Sequence, residues 1–308
     1  VGQMETFEID MESCMPIGKS EVHDFHAPSH EFYLWHDPEN SSRVLAFMAL
    51  VTLLAGVIVG TGCAVLAFFV VLRRMAFVGV GVSHAALGGV ALGVLLGLDP
   101  VWSALVFSVG VAWLIGAIGG RGQLSEETAI GIFFPTAMAL GVALMAGTPD
   151  YRQSMLSYLF GNILLVQRAD LILAAVLVGI TLLLVGLLFK ELLFVSVDEE
   201  TARAAGLPAT ALRYLLLTLL ALTIVSAIKV VGIVLVSAFL VIPGATAQLI
   251  APSMRAMLAL SVASAMLSVL GGLWAAWVLD LPSGAAIVLT GAALFFVALV
   301  GRRVAGRA

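Results

Sequence analysis

Gly79-Val-Gly-Val-Ser-His-Ala-Ala-Leu-Gly-Gly-Val-Ala-Leu-Gly-Val-Leu-Leu-Gly97 holds one ionisable side chain, His84, in a run otherwise made of apolar and small residues. A helix rises about 1.5 Å per residue, so such a run nearly crosses the roughly 30 Å hydrocarbon core of a bilayer. Gly81, Ala85, Gly89, Gly93 and Gly97 recur every four residues. They lay a stripe of small side chains along one face, against which another helix backbone can pack closely.

Outward from this stretch, the 308 residues repeat the pattern. The chain is 61% hydrophobic and only 11% charged, where soluble domains carry about 25% charged residues. That composition excludes a soluble enzyme, a nucleic-acid binder, a disulfide scaffold and a disordered chain. Apolar runs bounded by charges or turn residues fall at about 45–71, 77–97, 101–119, 129–147, 169–189, 212–228, 230–250, 257–278 and 284–300. The expected fold is therefore all-α, a polytopic membrane helix bundle of about nine spans. Eight or ten remain open, because the runs either side of Lys229 could form one long broken helix. The run 154–166 is too short to cross unaided and reads as an interfacial or re-entrant piece.

The formal charge of −4 conceals two different parts. Residues 1–43 carry nine of the nineteen acids against Lys19 and Arg43, a net −7, which leaves +3 for residues 44–308. The tail has no basic start followed by an apolar core and cleavage site, so it does not read as a cleavable signal peptide. Cytoplasmic loops are enriched in Lys and Arg. With the tail outside, ten of the fifteen basic residues fall inside: Arg73, Arg74, Arg121, Lys190, Arg203, Arg213, Arg255, Arg302, Arg303 and Arg307. An outer amino terminus and an inner carboxyl terminus are the expectation.

Few side chains in the spans could carry chemistry. His84 is the only histidine of the hydrophobic part. An ionisable group in a membrane normally faces the bundle interior or a water-filled cavity. His84, with Ser83, therefore reads either as a contact or gate for a permeant cation or as a ring bonded to a neighbouring helix carbonyl. In span seven, Pro243-Gly244 should kink or break the helix below Ser237, and Pro135 should kink span four. Buried acid–base pairs of a proton-coupled carrier are missing from the spans, and Ser83 and Ser237 have no paired base for catalysis. Ile17-Gly-Lys-Ser20 lacks the glycine five positions earlier that a phosphate-binding loop needs, so any ATP must be hydrolysed by another chain. Cys14 and Cys63 belong to no ligand pattern.

Two charged segments remain. Val197-Asp-Glu-Glu-Thr-Ala-Arg-Ala-Ala-Gly-Leu-Pro208 can form a short helix capped by Val197 or Asp198, with Glu199 and Glu200 in its first turn and Gly206 ending it before Pro208. It reads as a docking knob or as an ordinary solvated loop. In the tail, Glu21, His23, Asp24, His26, His30, Glu31, His36 and Asp37 mix imidazoles with carboxylates. Such ligands suit zinc, manganese or iron, but their spacing fits no fixed motif, and a mobile hydrophilic tail is the alternative.

Taken in order, several segments resemble the integral-membrane permease of the manganese/zinc/iron ABC importer family. They are Arg73-Arg74 with Ser83-His84-Ala85 and the glycine run, Glu126-Glu-Thr-Ala-Ile-Gly-Ile132, Leu159-Phe-Gly-Asn162, the Asp198 to Gly206 segment, and Val231-Gly-Ile-Val-Leu-Val-Ser-Ala-Phe-Leu-Val-Ile-Pro243. One position departs from the pattern, with Val80 where the family often has an acid. A weaker likeness extends to cobalamin and ferric-siderophore permeases. The resemblance implies a type II ABC importer permease with Asp198, Glu199, Glu200, Ala202, Arg203 and Gly206 in a helix coupled to a cytoplasmic ATPase. It also implies a second permease chain, an extracytoplasmic solute-binding protein and a divalent metal as substrate. No covalently bound cofactor is expected, and the location is a bacterial cytoplasmic membrane. A gradient-driven carrier or an intramembrane enzyme would need the buried charges that the spans lack.

Overall fold

The computed structural model describes residues 38–119, 125–146, 168–304 and 306. Residues 1–47 and 48–308 form separate units. Of the first unit only 38–47 is described; it is helical and begins α1 (Pro38–Leu72), well before the apolar run itself. The others are α2 (Ala76–Leu96), α3 (Pro100–Gly119), α4 (Glu126–Met145), α5 (Arg168–Leu187), α6 (Phe189–Val197), α7 (Glu199–Ala204), α8 (Ala209–Val231), α9 (Ile233–Phe239), α10 (Ile242–Ile250), α11 (Met254–Leu279) and α12 (Ser283–Val304). Among the described residues eight helices are long and apolar enough to cross a membrane. The seventh apolar run, 230–250, is split into α9 and α10.

Several glycines show the directions of these passes, because they mark where two helices approach closely. A Cβ on Gly89 would lie 2.7 Å from the Ala104 Cα, and one on Gly93 would lie 2.7 Å from Ser103 Oγ, so α2 and α3 run antiparallel. Gly81 meets Ile130 and Gly88 meets Ala137, so α4 runs parallel to α2. Gly56 and Gly60 face Val269 and Met266, while Ser261 Oγ donates to the Ala64 carbonyl at 2.7 Å. This makes α11 antiparallel to α1. Phe239 lies against Gly60, and Gly244 against the Ala67 carbonyl group, so the α9–α10 pair follows α1. The small-residue stripe of α2 thus packs as its spacing predicts at Gly81, Gly89 and Gly93. Gly97 does not belong to it: at φ +66° it ends the helix, and a Cβ there would meet open space.

The kink expected at Pro243 is a full break. Pro243 sits in the first turn of α10, where its missing N–H costs nothing, and α9 has already ended at Phe239. The border placed near Lys229 lies instead at Gly232, whose φ of +91° no ordinary L residue adopts readily and which separates α8 from α9. Pro135 leaves α4 as one helix.

With the passes alternating, eight of the described basic residues, Arg73, Arg74, Lys190, Arg203, Arg213, Arg255, Arg302 and Arg303, fall at one end of the bundle, and Arg168 and Lys229 toward the other. Asp99 and Asp280 fall at the latter end. These are called the basic and acidic ends below.

Candidate functional site

At the basic end the chain turns aside from the spans into α6 and α7. Phe189 opens α6 and packs on Phe68 and Phe69 of α1, with ring centroids 6.2 and 6.1 Å away. Asp198 caps α7: its carboxylate accepts from Thr201 N at 2.9 Å and from Thr201 Oγ1 at 2.5 Å. These two hydrogen bonds hold the Asp198 carboxyl below its ordinary value, because they favour the charged form. Gly206 at φ +84° turns the chain out, with Gly206 N on the Arg203 carbonyl and Leu207 N on that of Ala202. Ala202 faces inward and is fully buried, whereas Glu200, Thr201, Arg203, Ala204 and Gly206 are exposed. Of the two sequence-based readings, a capped helix or a plain loop, the geometry is the capped helix.

Glu199 fixes this helix to the bundle. Its Oε2 accepts from Arg73 Nη2 at 2.7 Å, and its Oε1 lies 3.2 Å from Arg203 Nη2 and 3.9 Å from Arg213 Nη1. Arg73 also reaches the Val195 carbonyl at 3.5 Å. Arg213 in turn donates through Nη2 to the Gly116 carbonyl near the end of α3. The Arg73 and Arg213 side chains are only 10% exposed. Charge-assisted bonds away from bulk water are stronger and less screened than surface pairs. In the sequence Arg73 stands out only as part of the Arg73-Arg74 pair in the family resemblance, and Arg213 only as a loop-end positive charge; neither context points to Glu199.

His84 lies halfway into the bundle on α2. Its Nδ1 is 3.0 Å from the Val80 carbonyl one turn back and 3.3 Å from Ser83 Oγ, and Ser83 Oγ itself donates to the Val80 carbonyl at 2.9 Å. A carbonyl can only accept, so Nδ1 carries a proton; in the neutral ring the lone pair is then on Nε2, the form in which imidazole binds a metal. The ring stands perpendicular to that of Phe134 of α4, with centroids 4.6 Å apart. The bond to a neighbouring helix carbonyl, read as the alternative, is thus not the one formed: the carbonyl is that of Val80 within α2, and it engages Nδ1 rather than Nε2. Ser237 lies on α9, and Pro243 opens α10, where its carbonyl faces Ser264 Oγ at 3.4 Å. The structure therefore brings Ser83 and His84 together but places Ser237 and Pro243 on another pass.

Among the described residues no group of three or more His, Cys, Asp or Glu could hold a metal ion. The candidate ligands Glu21, His23, Asp24, His26, His30, Glu31, His36 and Asp37 lie outside the described residues, as do 154–166, with Leu159 to Asn162, Arg121, Arg152 and Arg307.

A sequence model of the ABC 3 transport family matches residues 45–302, from the first span to the last. The chain belongs to the ABC 3 transport family. Within the family it is 37% identical over 246 residues to the manganese transport system membrane protein MntC of Halalkalibacterium halodurans, covering 80% of this chain and 84% of that one. It is 39% identical over 252 residues to the manganese import system permease protein ScaB of Streptococcus parasanguinis, covering 81% and 88%. Its fold superposes on a chain of PsaBC from Streptococcus pneumoniae with a TM-score of 0.74 at 37% identity, covering 82% of this chain and 90% of that chain. An inward-facing metal-chelate type ABC transporter shares the fold at a TM-score of 0.70 and 21% identity, covering 86% and 89%. This ABC 3 family permease is thus a multi-pass membrane protein.

Proposed function

We propose that this chain is the transmembrane permease of an ATP-driven importer of divalent metal ions, with manganese as its cargo and zinc and iron as the nearest competitors. One observation carries the reading: almost the whole transmembrane part is similar to proteins named as manganese transport and import permeases. Oxygen and nitrogen ligands accept all three metals, so geometry and availability decide among them.

In this reading α7 docks on a cytoplasmic ABC ATPase, and ATP is hydrolysed there rather than on this chain. A solute-binding protein delivers metal at the acidic end, and a second permease chain completes the pathway. The basic end faces the cytoplasm of a bacterial cell, with the amino terminus outside and the carboxyl terminus inside, as the excess of arginine at that end favours. His84 and Ser83 act as a contact or gate in the pathway, and the α9–α10 break between Ser237 and Pro243 lets that pass move as two pieces. The acidic, histidine-bearing tail, residues 1–43, receives the ion at the outer mouth.

Vesicles containing the permease and its ATPase provide the test. Manganese uptake should require ATP and should be competed by zinc and iron. Uptake driven by an imposed proton gradient without ATP would sink the reading, and a preference for another of the three metals would reassign the cargo. In the same vesicles, removal of residues 1–40 should slow uptake or alter its selectivity. Unaltered rate and selectivity would take the tail out of the pathway.

A further inference from the structure

The segment read above as the ATPase-docking helix is tied to the bundle by a small number of contacts, and one side chain joins most of them. α7 is only six residues long, too short to be stable alone in water. Its inward side holds Ala202, which contributes little area, and Glu199. Through Glu199 the helix meets Arg73 at the end of α1 and Arg213 in the first turns of α8; through Arg213 it meets the Gly116 carbonyl of α3. These three passes are the ones that a push on α7 would have to reach to alter the bundle. α1 and α8 are, with α2, its mostly buried spans, and α3 is packed along the His84-bearing α2.

We propose that Glu199 is a positioning residue for transport: it transmits displacement of α7 to α1, α3 and α8 through Arg73 and Arg213. The reading rests on the docking role of α7, and the two can fail separately. The geometry suits a two-way link. Separate carboxylate oxygens face Arg73 and Arg213, at 2.7 and 3.9 Å, so a shift of α7 in either direction changes one ion pair against the other. Arg203 on the same helix approaches the oxygen shared with Arg213 and is 64% exposed, so it can neutralise Glu199 without tying it to a pass. Phe189 on Phe68 and Phe69 keeps the root of the segment seated on α1 while the tip moves. Apolar contacts alone would seat α7, but without the ion pairs they would let it slide.

The permease–ATPase complex in vesicles, with manganese as the probe, tests this through the metal carried per ATP hydrolysed. In Glu199→Gln the ATPase should still co-purify, and metal carried per ATP should fall by about fivefold or more, the lower bound of a typical coupling free energy. Arg73→Lys, which keeps the charge, should lose less than Arg73→Gln. Unchanged metal per ATP in Glu199→Gln would overturn the proposal. Loss of the ATPase from the Glu199→Gln complex would also overturn it, because Glu199 would then only hold the docking surface together. If Glu199→Gln does not accumulate in the membrane, Arg213→Gln and Arg73→Gln, each leaving the carboxylate one bundle partner, are read in the same way. Ala204→Trp, on the exposed face of α7, tests docking by itself. Retention of the ATPase at full stoichiometry in that variant would count against the docking role, whatever Glu199 does.

Discussion

Gly244 shows how little room the bundle leaves at a single residue. It lies in α10 just after the break, and a methyl group there would fall on the Ala67 carbonyl group of α1 and 3.0 Å from Val71 Cγ2. The obstacle is backbone, which cannot rotate away. Gly244→Ala should therefore destabilise the protein by about 1–3 kcal/mol, as overpacking of a tight core does. Gly179→Ala is the control, since nothing lies within 4 Å of the added carbon; there the better helix propensity of alanine should leave stability unchanged or raise it by up to about 1 kcal/mol. Thermal unfolding in one detergent compares the two variants. Equal melting temperatures would mean that α10 can move off α1 without penalty. The same reasoning separates Gly97 from the rest of its stripe: its work is done by a positive φ rather than by the absence of a side chain.

At the scale of the element, α7 depends on one cap. The Asp198 carboxyl is held below its ordinary value of 3.8 by Thr201, so its contribution is fully present above that value and is lost as the pH falls through the lowered folded value. Amide protection over 201–204, corrected for intrinsic exchange, should accordingly persist at neutral pH and vanish in acid. Asp198→Asn caps without titrating and should flatten that dependence, whereas Asp198→Ala should lose protection at every pH. An unchanged acid loss in Asp198→Asn would assign it to another group. This cap was legible from the sequence because its donors and acceptor are neighbours in the chain. The spans were legible for a different reason: bilayer thickness forces their length, so hydropathy alone finds them. Two features escaped. The break at Gly232 lies inside a uniformly apolar run, where hydropathy has no contrast and only the glycine's φ marks the site. The pairing of Arg73 with Glu199 joins residues 126 positions apart, and no local pattern specifies which arginine a distant carboxylate will meet.

For the whole molecule, the distribution of charge is what favours one orientation over the other. Alternating passes collect eight described basic residues at one end; among the described residues the exposed Trp102, Trp274 and Trp277 lie toward the other, beside Asp99 and Asp280, and the exposed Trp113 lies toward the basic end. Indole rings prefer the headgroup level, and arginine is retained on the cytoplasmic side. Tryptophans toward both interfaces hold the bundle in depth, and the basic end sets its direction. Reversal would carry most of the arginines to the outside and would turn α7 away from any cytoplasmic ATPase. Cysteine labelling decides between the two orientations. In a Cys14→Ser background, where Cys63 is buried, a membrane-impermeant maleimide should label Leu98→Cys in intact cells and Arg303→Cys only after permeabilisation. Both positions are exposed and neither makes a contact that the fold needs, so a failure to label reports sidedness rather than misfolding. The opposite pattern would place α7 outside the cell and would remove the ATPase from it, and with that the energy source of transport.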